Sequence, residues 1–89
     1  MEKIVRTTRI VNELGLHARS AALVARIAQK ASAGIWLAKG NDKADARSIM
    51  DILALECPRG TRIRLIAEDA VDSKILDEIV RRIEDGFGE

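Results

Sequence analysis

His17 is the only histidine of this 89-residue chain, and it stands where a predicted strand gives way to a predicted helix. The first turn of a helix has unpaired N–H groups and the positive end of the helix dipole, and both attract anions. The same field disfavours the imidazolium form, so His17 is expected to stay neutral near pH 7 and to keep a lone pair. Arg19 adds a positive charge within reach of a phosphate on His17. These features predict a phosphoryl acceptor.

The ligands of such a phosphate are predicted to be the Arg19 side chain and the backbone N–H groups of Ala18, Arg19 and Ser20. The alternative is an ordinary structural role, because a single histidine near a helix start is more often a cap or a solvated side chain. The sequence around His17 has no pattern typical of nucleophilic hydrolysis.

Composition predicts one globular domain spanning residues 1–89 and excludes several classes of protein. The chain is 47% apolar and 33% charged, and its net charge is +1. This balance gives no overall attraction to nucleic acids or anionic membranes. Only two residues are aromatic, Trp36 and Phe87, which argues against nucleic-acid binding by base stacking. With one cysteine and one histidine, neither an internal disulfide, nor a metal site, nor a cofactor is predicted.

The same features predict a location in the cell. Cys57 as the single cysteine fits a reducing compartment, and it is expected to be a small buried apolar residue. The apolar runs are far shorter than the ~20 residues that cross a bilayer, and the first residues lack the apolar stretch of a signal peptide. The chain is therefore expected to be cytoplasmic and not inserted in a membrane.

The apolar periodicities predict an α+β fold of order β-α-β-β-α-β-α, with helices packed on one face of a mostly antiparallel sheet. The predicted elements are, in order, a strand Lys3–Val11, a helix from about Ala18 to Ala31, a strand Gly34–Ala38, a weak return strand Lys43–Ala46, a short helix from the N-cap Ser48 to about Leu55, a strand Thr61–Glu68 and a helix Asp72–Asp85.

The motif around His17 resembles that of HPr, the histidine-containing phosphocarrier of the phosphoenolpyruvate-dependent sugar phosphotransferase system. The likeness covers essentially the whole chain and is carried by Gly-Leu-His-Ala-Arg, the Ala-Ala helix that follows and the later Ser-Ile-Met. It implies an open-faced β-sandwich of four antiparallel strands and three helices. It also implies that enzyme I phosphorylates His17 on Nδ1 and that a sugar-specific enzyme IIA domain receives the phosphoryl group. The protein is expected to act as a monomer.

Ser48 has two compatible interpretations. As an N-cap it stabilises a helix by roughly 1 kcal/mol. The segment Arg47-Ser48-Ile49-Met50 also resembles the site at which HPr kinase/phosphorylase modifies HPr proteins of some bacteria. A candidate surface for partner proteins surrounds the two sites, although each of its apolar members could equally belong to the core; it comprises Leu16, Arg47, Ile49, Met50 and Leu53.

Three residues depart from the HPr pattern. Ser20 replaces the usual proline and restores an N–H donor. Glu56 replaces a common glycine in a loop expected near His17, and it is expected to point away from the histidine or to tune phosphoryl release. Asp51 stands where small or basic residues are common. These departures leave open a regulatory or nitrogen-branch relative that acts mainly through binding and Ser48. The segment Phe87–Glu89 is expected to fray, or alternatively to fold back near His17.

Overall fold

The sheet has four antiparallel strands in the order β1-β4-β2-β3. The computed structural model describes residues 2–89. Its strands are β1 (Ile4–Arg9), β2 (Ile35–Lys39), β3 (Asp42–Asp45) and β4 (Arg62–Ala67). Its helices are α1 (Ala18–Ala28), α2 (Ile49–Ala54) and α3 (Ser73–Glu84), with short 3₁₀ turns at Ala70–Asp72 and Gly86–Gly88. The predicted order of strands and helices is confirmed.

The core lies between one face of the sheet and the three helices. On β4, Ile63 and Leu65 are fully buried while Arg62 and Arg64 are exposed, as the alternation of apolar and charged residues predicts. Leu65 pairs with Leu37 of β2, so the apolar residues of neighbouring strands form one continuous surface. Among residues 2–89, no helix lies on the opposite face of the sheet, which gives the open-faced β-sandwich.

Helices α1 and α3 bury the apolar stripes that the sequence predicts. Val24 of α1 and Ile79 of α3 are fully buried, and burial of such a side chain contributes roughly 1.5–3 kcal/mol. Helix α1 ends at Ala28, three residues before the predicted end. Beyond it, the N–H groups of Ser32 and Ala33 donate to the carboxylate of Asp72 at 2.8 Å each. Asp72, the residue before α3, thus fixes the loop that follows α1 by hydrogen bonds.

Within residues 2–89 no helix is long and apolar enough to cross a membrane. In the same described range, His, Cys, Asp and Glu side chains form no group of three that could hold a metal ion. Cys57 is buried in the core with 3% of its surface exposed. Burial raises the pKa of its thiol, and the positive charge of Lys39 opposes this effect.

Candidate functional site

His17 is the N-cap of α1, with extended backbone angles that precede the helix. Its carbonyl accepts the first helical hydrogen bond, from the N–H of Ala21 at 2.8 Å. The N–H groups of the three residues between them, Ala18, Arg19 and Ser20, therefore have no acceptor within the helix. The imidazole is partly exposed (29%), and the predicted phosphate ligands Ala18, Arg19 and Ser20 follow it in the first turn of the helix.

The side chain of Ser20 connects the first turn of α1 to the N-cap residue His17. Its hydroxyl accepts a hydrogen bond from the backbone N–H of His17 at 2.9 Å and lies 3.2 Å from the carbonyl of Gly15. The imidazole in turn faces the backbone N–H of Ser20 without completing a hydrogen bond. This reciprocal arrangement is a capping box. The side chain of Ser20 is buried, so the serine in place of proline supplies a structural hydroxyl as well as an N–H.

Replacing Ser20 with alanine should lower the free energy of unfolding by about 1–2 kcal/mol, because the N–H of His17 would lose its acceptor in a buried setting. Urea unfolding followed by circular dichroism measures the change. Ser32→Ala is the matched control, since Ser32 is exposed and uses only its backbone N–H in the contact with Asp72. Equal effects of the two substitutions would show that the capping hydroxyl contributes nothing.

Gly15, two residues before His17, packs against the loop that follows α2. Its φ angle is +68°, in the left-handed region that glycine adopts readily. A Cβ at this position would lie 2.5 Å from the carbonyl oxygen of Cys57 and 2.9 Å from the Cα of Pro58. The same carbonyl accepts the N–H of Leu16 at 2.9 Å. The contact between these two loops requires glycine and sets the position of the histidine.

Glu89 lies beside the histidine ring, at its Nε2 edge. Its Oε2 is 2.7 Å from Nε2 of His17 and 3.5 Å from a guanidinium nitrogen of Arg19. Its Oε1 accepts a hydrogen bond from the side-chain amide of Asn12 at 3.0 Å, and only 14% of its side chain is exposed. The first expectation for this segment, fraying, is therefore wrong, and the alternative of folding back near His17 is confirmed.

The chain reaches this position through a tight turn. Gly86, Phe87 and Gly88 all have positive φ angles, between +59° and +75°, and Phe87 packs against the core. Non-glycine residues rarely adopt this conformation, so a sequence pattern gives little warning of it. The Glu89 contact is the feature of the site that sequence reasoning least anticipated; the signal was the pair of glycines that flank Phe87.

Hydrogen bonds from His17 and then Asn12, aided by Arg19, hold the pKa of Glu89 below the usual carboxyl range, and partial burial opposes them. Because this pKa is lower in the folded state, the contact stabilises the fold at pH values above the usual carboxyl pKa. That stabilisation is lost as the pH falls through the lowered pKa.

We expect carbon-13 NMR of the Glu89 carboxyl to show a depressed titration midpoint that rises in His17→Ala. Identical midpoints in the two proteins would contradict this cause. Two grooves that Glu89 also lines contain further charged side chains: Glu13, Arg59, Glu84 and Asp85 in one, and Arg26 in the other.

Ser48 is the N-cap of α2, as the sequence predicts. Its hydroxyl accepts a hydrogen bond from the N–H of Asp51 at 3.1 Å. Asp51 lies in the first turn of the helix, where its charge is favourable. Glu56 follows the helix in the left-handed region, with φ of +54°. Glu56 is exposed, and its carboxylate forms no ion pair with the histidine among the residues that the structure describes.

The candidate partner surface is only partly exposed. Met50 is 75% exposed and Ile49 39% exposed, and Ile49 lies in a groove beside α1. Arg47 is also exposed, whereas Leu53 is partly buried against the core. Leu16 is only 8% exposed and belongs to the core, because the N–H bond to Cys57 draws its backbone inward. Its assignment to an exposed rim is corrected accordingly.

The open-faced sandwich thus presents one histidine at a helix start, with an arginine two residues later, which is the arrangement expected of a phosphoryl acceptor. Residues 4–85 match the family model described as the phosphorylation site of the HPr component of the phosphotransferase system. The chain therefore belongs to the HPr family.

Individual relatives support this assignment, and each alignment covers almost the full length of both sequences. The chain is 31% identical to phosphocarrier protein HPr of Treponema pallidum, covering 97% of this chain and 98% of that one. It is 36% identical to phosphocarrier protein NPr of Shewanella violacea, covering 100% and 98%. The crystal structure of HPr from Thermoanaerobacter tengcongensis matches with a TM-score of 0.85 and 39% identity, covering 100% of this chain and 98% of that one. The expected fold is thus confirmed.

Proposed function

We propose that this protein is a cytoplasmic phosphocarrier, a single domain that accepts a phosphoryl group from phosphorylated enzyme I on His17 and passes it to enzyme IIA domains. The observation that carries the proposal is the placement of His17 as the N-cap of α1, beside the N–H groups of the first helical turn and Arg19. Arg19 lies 3.5 Å from the same carboxylate oxygen that contacts the ring. An arginine that can reach an anion at the imidazole can also reach a phosphate on it.

The shape of the site suits a carrier better than an enzyme. A phosphoryl group on His17 must remain reactive toward a second protein, so the site should be open and should not bind phosphate too tightly. The ring is partly exposed and the side chain of Arg19 is 77% exposed. Exposed charges contribute modestly to binding. Such a site can present a phosphoryl group in turn to a donor and an acceptor, without a cofactor.

Ile49 and Met50, with Arg47 beside them, form the surface that we expect partner proteins to contact. Exposed apolar side chains near a reactive group supply contact area at interfaces. Leu53 is partly buried, so only the exposed part of its side chain contributes to this surface.

Regulation through Ser48 is the second part of the proposal. A phosphate on this N-cap would gain from the dipole of α2 and would be opposed by the carboxylate of Asp51. It would also displace the cap hydrogen bond and place negative charge beside Ile49 and Met50. We expect HPr kinase/phosphorylase, where it is present, to modify Ser48 and to weaken binding to partner proteins.

A regulatory or nitrogen-branch role is the second candidate. The 36% identity to a phosphocarrier protein NPr over the full chain favours it, as do the departures at Ser20, Asp51 and Glu56. In that case phosphoryl transfer to sugar-specific IIA domains would be undetectable, and binding controlled by Ser48 would be the main activity.

Incubation with enzyme I and phosphoenolpyruvate tests the first candidate. The expected product is an adduct that is labile in acid and stable in base, as phosphohistidine is. An adduct that is stable in acid, or no adduct with any enzyme I, would contradict the proposal. Incubation with ATP and HPr kinase/phosphorylase tests the second part, with Ser48→Ala as the control that should remain unmodified.

A further inference from the structure

The contact between Glu89 and His17 specifies which ring nitrogen carries a proton. The pKa of the Glu89 carboxyl is lowered, so the group is ionised near neutral pH and can only accept hydrogen bonds. Nε2 of His17 lies 2.7 Å from Oε2, and a hydrogen bond at that distance requires the proton on Nε2. In the neutral ring the lone pair then resides on Nδ1.

The carboxylate is itself held in place. The amide of Asn12 donates to Oε1 of Glu89 at 3.0 Å and to the carbonyl of Gly15 at 2.9 Å. Two acceptors around one NH₂ group fix the orientation of the amide, although Oδ1 is left buried without a partner in the described chain. This support directs Oε2 toward the ring and Arg19.

We propose that Glu89 is a positioning residue for phosphoryl transfer: it keeps the proton on Nε2 and so reserves Nδ1 for the phosphoryl group. The proposal rests on the phosphocarrier function above and deepens it. It gives the segment 86–89 a role in the reaction rather than in folding alone.

The bond changes show why this proton matters. When the phosphoryl group arrives, the Nδ1 lone pair forms the N–P bond, and the bond from phosphorus to the donor breaks with its electron pair left on the donor. The ring then carries a positive charge that the carboxylate of Glu89 stabilises. When the acceptor attacks phosphorus, the N–P bond breaks and its electron pair returns to Nδ1. Because Nε2 keeps its proton, the leaving group is a neutral imidazole rather than an imidazolate, and no free proton has to be supplied.

Nitrogen-15 NMR of the ring tests the proposal before any phosphate is added. At a pH where the ring is neutral, the wild-type protein should hold its proton almost entirely on Nε2. In Glu89→Gln the ratio of the Nε2–H form to the Nδ1–H form should fall at least about fivefold, since a charge-assisted hydrogen bond is lost. Glu84→Gln is the matched control, because Glu84 lies on α3 beside the same segment and makes no hydrogen bond to His17. An unchanged ratio in Glu89→Gln, or a proton mainly on Nδ1 in the wild type, would overturn the proposal.

Transfer kinetics supply the second readout. Phosphorylated Glu89→Gln should donate to an enzyme IIA domain about tenfold more slowly than the wild type, and Glu89→Asp, which keeps the charge, should recover part of the rate. Equal rates in Glu89→Gln and the wild type would overturn the proposed role in transfer. If no protein in the series is phosphorylated by enzyme I, the phosphocarrier function fails, while the ring NMR still decides where Glu89 holds the proton.

Discussion

Replacing His17 with alanine should reduce the rate of phosphoryl acceptance from enzyme I by at least about 10³-fold, because the nucleophilic nitrogen is removed. The free N–H groups of α1 and the guanidinium of Arg19 would remain, but they can only bind the phosphate and cannot form a bond to it. Transfer from radiolabelled phosphoenolpyruvate, followed over time in the presence of enzyme I, measures the loss.

Two further proteins make this result specific. Ser48→Ala should keep the acid-labile adduct at the wild-type rate, because Ser48 is the cap of α2 and not of α1. Circular dichroism should show that His17→Ala remains folded, since the ring is partly exposed and lies outside the hydrophobic core cluster. An acid-labile adduct of equal yield on His17→Ala would show that another residue accepts the phosphoryl group.

Replacing Gly15 with alanine should lower the free energy of unfolding by about 3 kcal/mol. Two effects add: the left-handed conformation disfavours a side chain, and the new Cβ would lie 2.5 Å from the carbonyl oxygen of Cys57. Urea unfolding measures the loss. Phosphoryl acceptance should fall as well, because relief of the clash moves the loop that positions His17.

Gly40→Ala separates these two effects. Gly40 has a similar φ of +58°, and nothing lies within 4 Å of the position of a Cβ. Its replacement should therefore cost only the backbone strain, on the order of 1 kcal/mol. If the two variants lose the same stability, the close approach of Gly15 to the Cys57–Pro58 loop is not what fixes the histidine.

The regular elements could be predicted because their determinants are local. Alternating residues on β4 and a repeating apolar stripe on α3 place each side chain on one face whatever lies elsewhere in the chain. The caps are local too: Ser48 bonds to a residue three positions away, and His17 is capped by Ser20 at the same spacing.

The features that the sequence left undecided depend on residues far apart in sequence. Glu89 and His17 are separated by 72 positions, and no periodicity links them. The burial of Leu16 depends on its hydrogen bond to Cys57. Likewise, the need for glycine at position 15 follows from a loop more than forty residues away. The sequence thus identified the candidate phosphoryl acceptor, but the structure was needed to find what surrounds it.

The most direct test of the central claim is a transfer from the isolated phosphoprotein. The protein is labelled on His17 with enzyme I, separated from it, and mixed with a panel of enzyme IIA domains that includes both sugar-specific and nitrogen-branch types. A carrier should pass its label to at least one domain, and the amount of unmodified carrier should rise by the amount of label transferred. Loss of the label only as inorganic phosphate, at a rate that no IIA domain changes, would contradict the account.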